Sequence, residues 1–319
     1  MDRIKRIGIY IPTYRRPLLL RKCIISVIES IEKIRDKYQC EIIIVDNDID
    51  KCAEEVVIDI RKNFYSDIKY INEKQKGYSS VRNRCISDCN NKKFDYIAFI
   101  DDDETASRQW LYELTTCIEA CNGHIVIGPV DGKYSIEAPE WMKKVRFHSK
   151  NLNLENKSII SPKLCRTDNV LILTSVINDT RFDMNFNTLG SEDYKFFIDL
   201  HKKNNLTIVW ASNAFTSEEV PINRTKLKYL LKRTYKIGLA RSILDKQDYN
   251  NGFKSYFVII LKSVYNCFGG LMKIIKSLAS GRESLYRGFC QISGCLGRLR
   301  GLFNKYKFDR RNMNESNKV

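Results

Sequence analysis

The acidic run Asp101-Asp102-Asp103-Glu104 follows directly on the apolar segment Tyr96-Ile97-Ala98-Phe99-Ile100. Adjacent carboxylates at the end of a buried strand repel one another unless a cation relieves them. Hard oxygen ligands of this kind suit Mg2+ or Mn2+. Mg2+ is commonly held by one or two carboxylates together with substrate phosphates, an arrangement that a nucleotide completes. A second acidic pair, Glu192-Asp193, follows Gly190-Ser191 where a helix is expected to begin. Acids in a first helical turn are favoured by the helix dipole, so capping and proton transfer are both open for this pair.

Further polar residues follow other apolar runs. Pro12-Thr13-Tyr14-Arg15-Arg16 comes after residues 7–11, Asp46-Asn47-Asp48 after residues 41–45, and Lys74, Gly77 and Arg82 after residues 68–71. Their importance depends on the elements that precede them. Residues 7–11, 41–45, 68–71, 96–100 and 125–128 read as short strands, several of them apolar on both faces, as in a parallel sheet covered on both sides. Residues 18–34, 56–64, 79–89 and 110–120 read as the helices between them. This alternation predicts βαβ units and a mostly parallel sheet. Ligands of such sheets bind beyond the carboxyl ends of the strands, so carboxylates, an aromatic ring and arginines distant in sequence are predicted to converge on one edge. Residues 129–187 are less regular, with a strand expected at 170–173. A helix is expected at 192–203 and a strand at 207–211.

The composition sets outer limits. With 319 residues of which 43% are hydrophobic, the chain can bury a real core, which excludes global disorder. Its net charge of +16 implies attraction to an anionic partner: nucleic acid, phospholipid headgroups or a phosphorylated substrate. The eleven cysteines form no Cys-x-x-Cys pair. They read as small buried residues of a protein in a reducing cytosol. The N-terminus reads as a strand and not as a signal peptide. No run is expected to reach the roughly 20 uncharged apolar residues of a spanning helix; residues 256–261 come nearest before Lys262 ends them. From Lys226 basic and apolar residues mingle, and Glu283 is the one acid between Gly252 and Phe308. Residues 226–308 are therefore expected to form basic amphipathic helices that either pack on the preceding domain or lie on an anionic membrane, and residues 309–319 a disordered tail.

Five motifs occur in an order that resembles family 2 glycosyltransferases: Ile-Pro-Thr-Tyr-Arg-Arg (11–16), Ile-Ile-Val-Asp-Asn (43–47), Gly-Tyr-Ser-Ser-Val-Arg-Asn-Arg (77–84), Phe-Ile-Asp-Asp-Asp-Glu (99–104) and Leu-Gly-Ser-Glu-Asp-Tyr-Lys-Phe-Phe (189–197). Trp-Leu (110–111), Asp-Asn-Val-Leu-Ile (168–172), Arg-Phe-Asp (181–183) and Glu-Glu-Val-Pro-Ile-Asn-Arg (218–224) look like the bacterial polysaccharide branch, similar to succinoglycan biosynthesis transferases. The resemblance implies an α/β nucleotide-diphospho-sugar transferase fold of the GT-A type over residues 1–225. It implies that Pro12, Tyr14, Arg16, Asp46, Asn47, Gly77, Arg82, Asp101 and Asp102 bind the nucleotide-sugar, with Tyr14 near the base, Asp46 and Asn47 at uracil and ribose, and Arg82 beside the nucleotide. Asp101 and Asp103 match the Asp-x-Asp motif that holds Mn2+ or Mg2+ with the diphosphate. Asp193 matches the catalytic base, with Glu192 beside it. The implied reaction is inverting transfer from a UDP-sugar to a saccharide or lipid-linked acceptor, by an enzyme peripheral on the inner face of the cell membrane. Two other classes compete. A nucleic-acid-binding protein accounts for the charge but not for the acidic clusters, which would repel phosphate without a metal. A non-catalytic nucleotide-binding scaffold of the same fold has no need of both acidic signatures. Nucleotidyl transfer on this fold is opposed by the lack of an N-terminal Gly-rich phosphate loop.

Overall fold

In the computed structural model, which describes residues 3–65, 67–249 and 252–303, the chain divides into two units with the break between Thr225 and Lys226. The first unit contains, in chain order, β1 (Lys5–Thr13), α1 (Pro17–Ile31), β2 (Tyr38–Asp46), α2 (Glu54–Asn63), β3 (Ile68–Asn72), α3 (Tyr78–Lys92), β4 (Tyr96–Ile100), β5 (Glu104–Ala106), α4 (Trp110–Ala120), β6 (Ile125–Ile127), β7 (Val130–Tyr134), α5 (Glu140–Val145), β8 (Asn169–Leu173), α6 (Glu192–Asn204), β9 (Ile208–Trp210) and β10 (Thr216–Val220).

Seven strands form one sheet in the order β3-β2-β1-β4-β8-β6-β9. The pairs β1–β2, β2–β3, β1–β4 and β6–β9 are parallel, and β8 runs antiparallel to both β4 and β6. Alternation along each strand splits the core into two layers. Ile7, Ile9, Ile11, Ile42, Ile44, Ala98 and Ile100 face the layer covered by α1, α2 and α4. Tyr10, Ile43, Val45, Ile97 and Phe99 face the layer covered by α3 and α6. Apolar residues at every strand position are what this two-sided burial requires.

Three strands escape the hydrophobic pattern. β5, β10 and β7 form a separate small sheet in that order, with Glu104 directly opposite Glu218 across an antiparallel pair. The acidic run is thus no simple solvated turn: its last residue starts a strand. Glu104-Thr105-Ala106 and Thr216–Val220 are too polar and too short for periodicity to reveal.

The second unit is helical: α7 (Leu227–Asp248), α8 (Phe253–Ser280) and α9 (Arg282–Phe303). α7 and α9 meet backbone to backbone. A Cβ on Gly238 would lie 1.9 Å from the Gly294 carbonyl oxygen, and one on Gly297 would lie 1.9 Å from that of Tyr235. One sequence expectation is corrected here. α8 contains a 27-residue stretch, Phe253–Ala279, that is long and apolar enough to cross a membrane by length and composition. Its lysines are spaced so that an 18-residue window keeps a mean hydropathy of 1.5, which a search for uninterrupted apolar runs overlooks. The expected tail at 309–319 lies outside the described residues, as do residues 304–308 of the expected basic region.

Candidate active site

The strand order reverses at β1, with β2 on one side and β4 on the other. Ligands of open α/β sheets bind at such a point beyond the carboxyl ends of the strands, and the residues singled out in the sequence gather there. Thr13, the last residue of β1, donates its hydroxyl to Asp102 Oδ2 at 2.7 Å, and the Tyr14 amide donates to the same oxygen at 3.4 Å. Asp102 is buried and so ties the β1 and β4 ends together. Arg16 Nη1 reaches Asp102 Oδ1 at 2.9 Å and Asp103 Oδ2 at 2.7 Å. Arg224, just after β10, lies 3.5 Å from Asp103 Oδ2 and donates to Glu218 Oε1 at 2.8 Å. The repulsion expected within the acidic run is relieved here by arginines.

Arg82, projecting from α3, is the central cation. Its Nη1 donates to Glu192 Oε1 at 2.6 Å and its Nη2 approaches Asp101 Oδ1 at 3.5 Å. Residues 82, 101 and 192 are therefore neighbours in space. Arg82 and Glu192 are both buried, yet Arg82 Nε and Glu192 Oε2 have no hydrogen-bond partner. Buried polar atoms without a protein partner are uncommon, and an ordered water or a bound group is the usual completion. Burial pushes the Glu192 carboxyl up to about 7 against the pull of Arg82. Burial likewise raises Asp101 to about 7, reinforced by Asp103 and Asp168 although Arg82 opposes it. Asp193 is also raised by burial. Its side chain is more exposed to solvent than that of Glu192, and its Oδ1 accepts from the neighbouring Tyr194 amide at 2.7 Å.

The Glu192-Asp193 pair begins α6 after a turn in which Gly190 and Ser191 both have positive φ. What holds that turn near Arg82 is a set of bonds from α3. Asn83 clamps Phe182 through both backbone groups, at 2.9 and 2.8 Å. The Ser79 hydroxyl donates to the Asp183 carbonyl at 2.8 Å. Asn187 Oδ1 accepts from the Ser80 amide and hydroxyl, while its Nδ2 donates to the Lys76 carbonyl. Gly77 sits against Asn187 with φ of 138°, and an added Cβ would fall 2.1 Å from the Asn187 side chain. The structure thus gives Gly77 a close backbone approach, with its amide donating to Asn47 Oδ1 at 2.7 Å.

Asp46 and Asn47 use their polar atoms within the fold. Asp46 is fully buried and accepts from the Asp48 and Ala53 amides and the Tyr70 hydroxyl. Asn47 Nδ2 donates to the carbonyls of Glu73 and Gln75. These bonds fix both side chains where β2 ends. Tyr14 is partly exposed; its hydroxyl accepts from Lys76 Nζ at 2.8 Å, and that nitrogen lies 4.6 Å from the ring centroid. Pro12 ends the buried run of β1 just before this corner.

A further charged group went unrecognised in the sequence. Lys150 and Arg166 both pair with the buried Asp168 carboxylate. Together they outweigh its burial and hold it well below the usual carboxylate range. Beside them burial pushes Glu104 far up, and its Oε2 is buried without a hydrogen-bond partner. The next residue, Asn169, accepts from Trp110 Nε1 at 2.8 Å and donates to the carbonyls of Pro129 and Ala214. Asp168-Asn169 was visible as part of a motif, but Lys150 lies in an irregular stretch with no periodic signal.

For a divalent cation, no group of three His, Cys, Asp or Glu side chains converges among the described residues. Among the described residues the Asp101 carboxylate has one ion pair, the long one to Arg82. Asp101 and Asp103 are hard donors, and Asp103 is close enough to raise the proton affinity of Asp101. Two carboxylates of this kind fit an ion whose remaining ligands are diphosphate oxygens and water.

The chain belongs to glycosyl transferase family 2, which it matches over residues 8–220, and it has the GT-A type of fold. It is 32% identical over 236 residues to the succinoglycan biosynthesis protein ExoM of Rhizobium meliloti (strain 1021), covering 73% of this chain and 72% of that protein. Among solved structures it is similar to S. aureus TarS 1–349, with a TM-score of 0.52, 13% identity and coverage of 95% of this chain and 94% of that one. The same TarS fragment in complex with UDP gives a TM-score of 0.50 at 13% identity, again over 95% and 94%.

Proposed function

We propose that the chain transfers a sugar, with inversion, from a UDP-sugar to a saccharide or lipid-linked saccharide acceptor in polysaccharide biosynthesis. The observation that carries this reading is Arg82 bridging Asp101 and Glu192. Through it the carboxylates after β4 and those opening α6 are neighbours, which supports adjacent places for donor and acceptor. The relative's role in succinoglycan biosynthesis supports the reaction class, and the UDP and UDP-GlcNAc complexes of TarS support the donor class.

In this reading the crevice walls at Tyr14 and Asn47 flank the nucleoside, and Arg16, Arg82 and Arg224 face charge growing on the departing diphosphate. Asp101 and Asp103 would hold Mn2+ or Mg2+, which when bound neutralises that same charge. Asp193 takes the proton from the acceptor hydroxyl. The hydroxyl oxygen forms a bond to the anomeric carbon from the side opposite the nucleoside diphosphate, whose bond to that carbon breaks. Glu192, enclosed and bound to Arg82, positions the guanidinium and leaves the proton transfer to its more open neighbour.

A screen of UDP-sugars with Mn2+ for donor hydrolysis tests the proposal, with Asp103→Ala as control. Hydrolysis of at least one UDP-sugar that the substitution abolishes is expected. Absence of both binding and hydrolysis for all of them, or activity untouched in the control, would overturn it.

A further inference from the structure

α8 carries an apolar stripe that no described residue of the second unit covers. Phe257, Ile260, Val264, Phe268, Leu271 and Ile275 recur at steps of three or four, the spacing of one helix face. Each is 45% to 63% exposed. The opposite side of the same helix is occupied. Ser255, Ile259 and Ser263 are buried, Lys262 pairs with Asp245 of α7 at 2.6 Å, and Lys273 donates to Gln291 of α9 at 2.6 Å. Soluble monomers rarely expose a continuous apolar face of this length.

The charge around the stripe indicates what covers it. Between Gly252 and Phe303 the sequence has eight Lys and Arg against the single acid Glu283. Lys254 and Lys276 are exposed and, at helical spacing, fall on the border of the stripe. Apolar side chains flanked by lysines on one exposed helix face complement an anionic bilayer surface, where the apolar groups enter the acyl boundary and the ammonium groups meet lipid phosphates. We infer that α8 lies in the plane of an anionic membrane, stripe downward, and docks the protein there.

The helix is long enough to cross a bilayer, but its partners argue for the in-plane orientation. α9 packs along it and carries Arg282, Arg287, Arg298 and Arg300, while Asp245 of α7 binds both Lys262 and Arg298. A spanning α8 would draw these charges into hydrocarbon. An in-plane α8 leaves them in water.

The test uses the full chain without any sugar donor, so it is separable from the glycosyl-transfer reading. Flotation is measured with vesicles of phosphatidylcholine containing phosphatidylglycerol and with vesicles of phosphatidylcholine alone. Binding to the anionic vesicles is expected, weakened at least about tenfold by the triple replacement Phe257→Ser, Val264→Ser, Leu271→Ser. The pair Lys254→Gln, Lys276→Gln is expected to bind both kinds of vesicle about equally, having lost roughly tenfold on the anionic one. Alkaline carbonate should release the protein from membranes. Failure to float with anionic vesicles, or undiminished binding by both variants, would overturn the docking face. So would a dimer in light scattering that the triple replacement converts to monomer without altering lipid binding. Retention through carbonate would overturn the in-plane orientation.

Discussion

Arg82 sets the electrostatics of the crevice by sharing one guanidinium between Asp101 and Glu192. The two acids that open α6 differ: Glu192 is buried and paired with Arg82, whereas Asp193 is more exposed and accepts from the Tyr194 amide. Asp193→Asn is expected to lower kcat by about 10²- to 10⁴-fold while leaving donor affinity nearly intact, checked by steady-state kinetics alongside nucleotide titration. A mutant that loses both together would place Asp193 in donor binding instead. The pH dependence follows from Asp101, whose carboxyl is raised from 3.8 to about 7. As the pH falls through that value Asp101 gains a proton and its charge disappears, so donor affinity should weaken on the acid side, and Asp101→Asn should abolish this limb of a KM profile. Glu192 has a separate signature in stability. It binds more protons folded than unfolded between 4.5 and about 7, so its contribution to stability falls as pH rises through that window. Melting curves of wild type against Glu192→Gln should show the difference narrowing at the acid end and growing toward neutrality in favour of the variant.

Between elements, the decisive joint is the one from α3 to the segment before α6. Gly77, Ser79, Ser80 and Asn83 hold residues 182–187, which in turn deliver Glu192 to Arg82. Gly77→Ala meets two obstacles at once, a φ of 138° and the Asn187 side chain in the space of the new Cβ. It should cost on the order of 1–3 kcal/mol in denaturant unfolding and reduce turnover beyond what the stability loss explains. Asn83→Ala should be similar, since it strips partners from both backbone groups of Phe182. Variants as stable and active as wild type would show that this joint does not govern the site. The motifs containing these residues were legible in the sequence; that Asn187 is the piece that locks them was not, because a lone Asn in an irregular stretch carries no periodic signal.

For the whole molecule, the net charge of +16 gives an attraction to polyanions that is independent of the crevice. Retention on DNA or heparin should therefore fall steeply with added salt, whereas the proposed binding of a UDP-sugar should persist. A sequence-selective, salt-resistant DNA complex would favour the nucleic-acid reading over glycosyl transfer. The packing of α7 against α9 adds a structural test. Gly297→Leu would force the two backbones apart at Tyr235, and a melting temperature unchanged by it would contradict the close helix contact.

The sequence by itself determined the alternation of strands and helices, the two-sided sheet, and the gathering of polar residues at the strand ends. All of these follow from short-range hydrophobic periodicity, which is strong wherever a segment is buried on both faces. It also identified the acidic run, Glu192-Asp193 and Arg82 as belonging together. The tertiary structure decided what each of these groups is paired with. Asp102 proved to be a bridge between β1 and β4, Asp46 and Asn47 proved to be bonded to neighbouring backbone groups, and Glu104 proved to face Glu218 in a second sheet. Such pairings depend on contacts across tens to hundreds of residues, and periodicity along a chain carries no record of them. For the same reason, a series of apolar and basic residues after Gly252 became a defined exposed stripe only when α7 and α9 covered the other side of the helix.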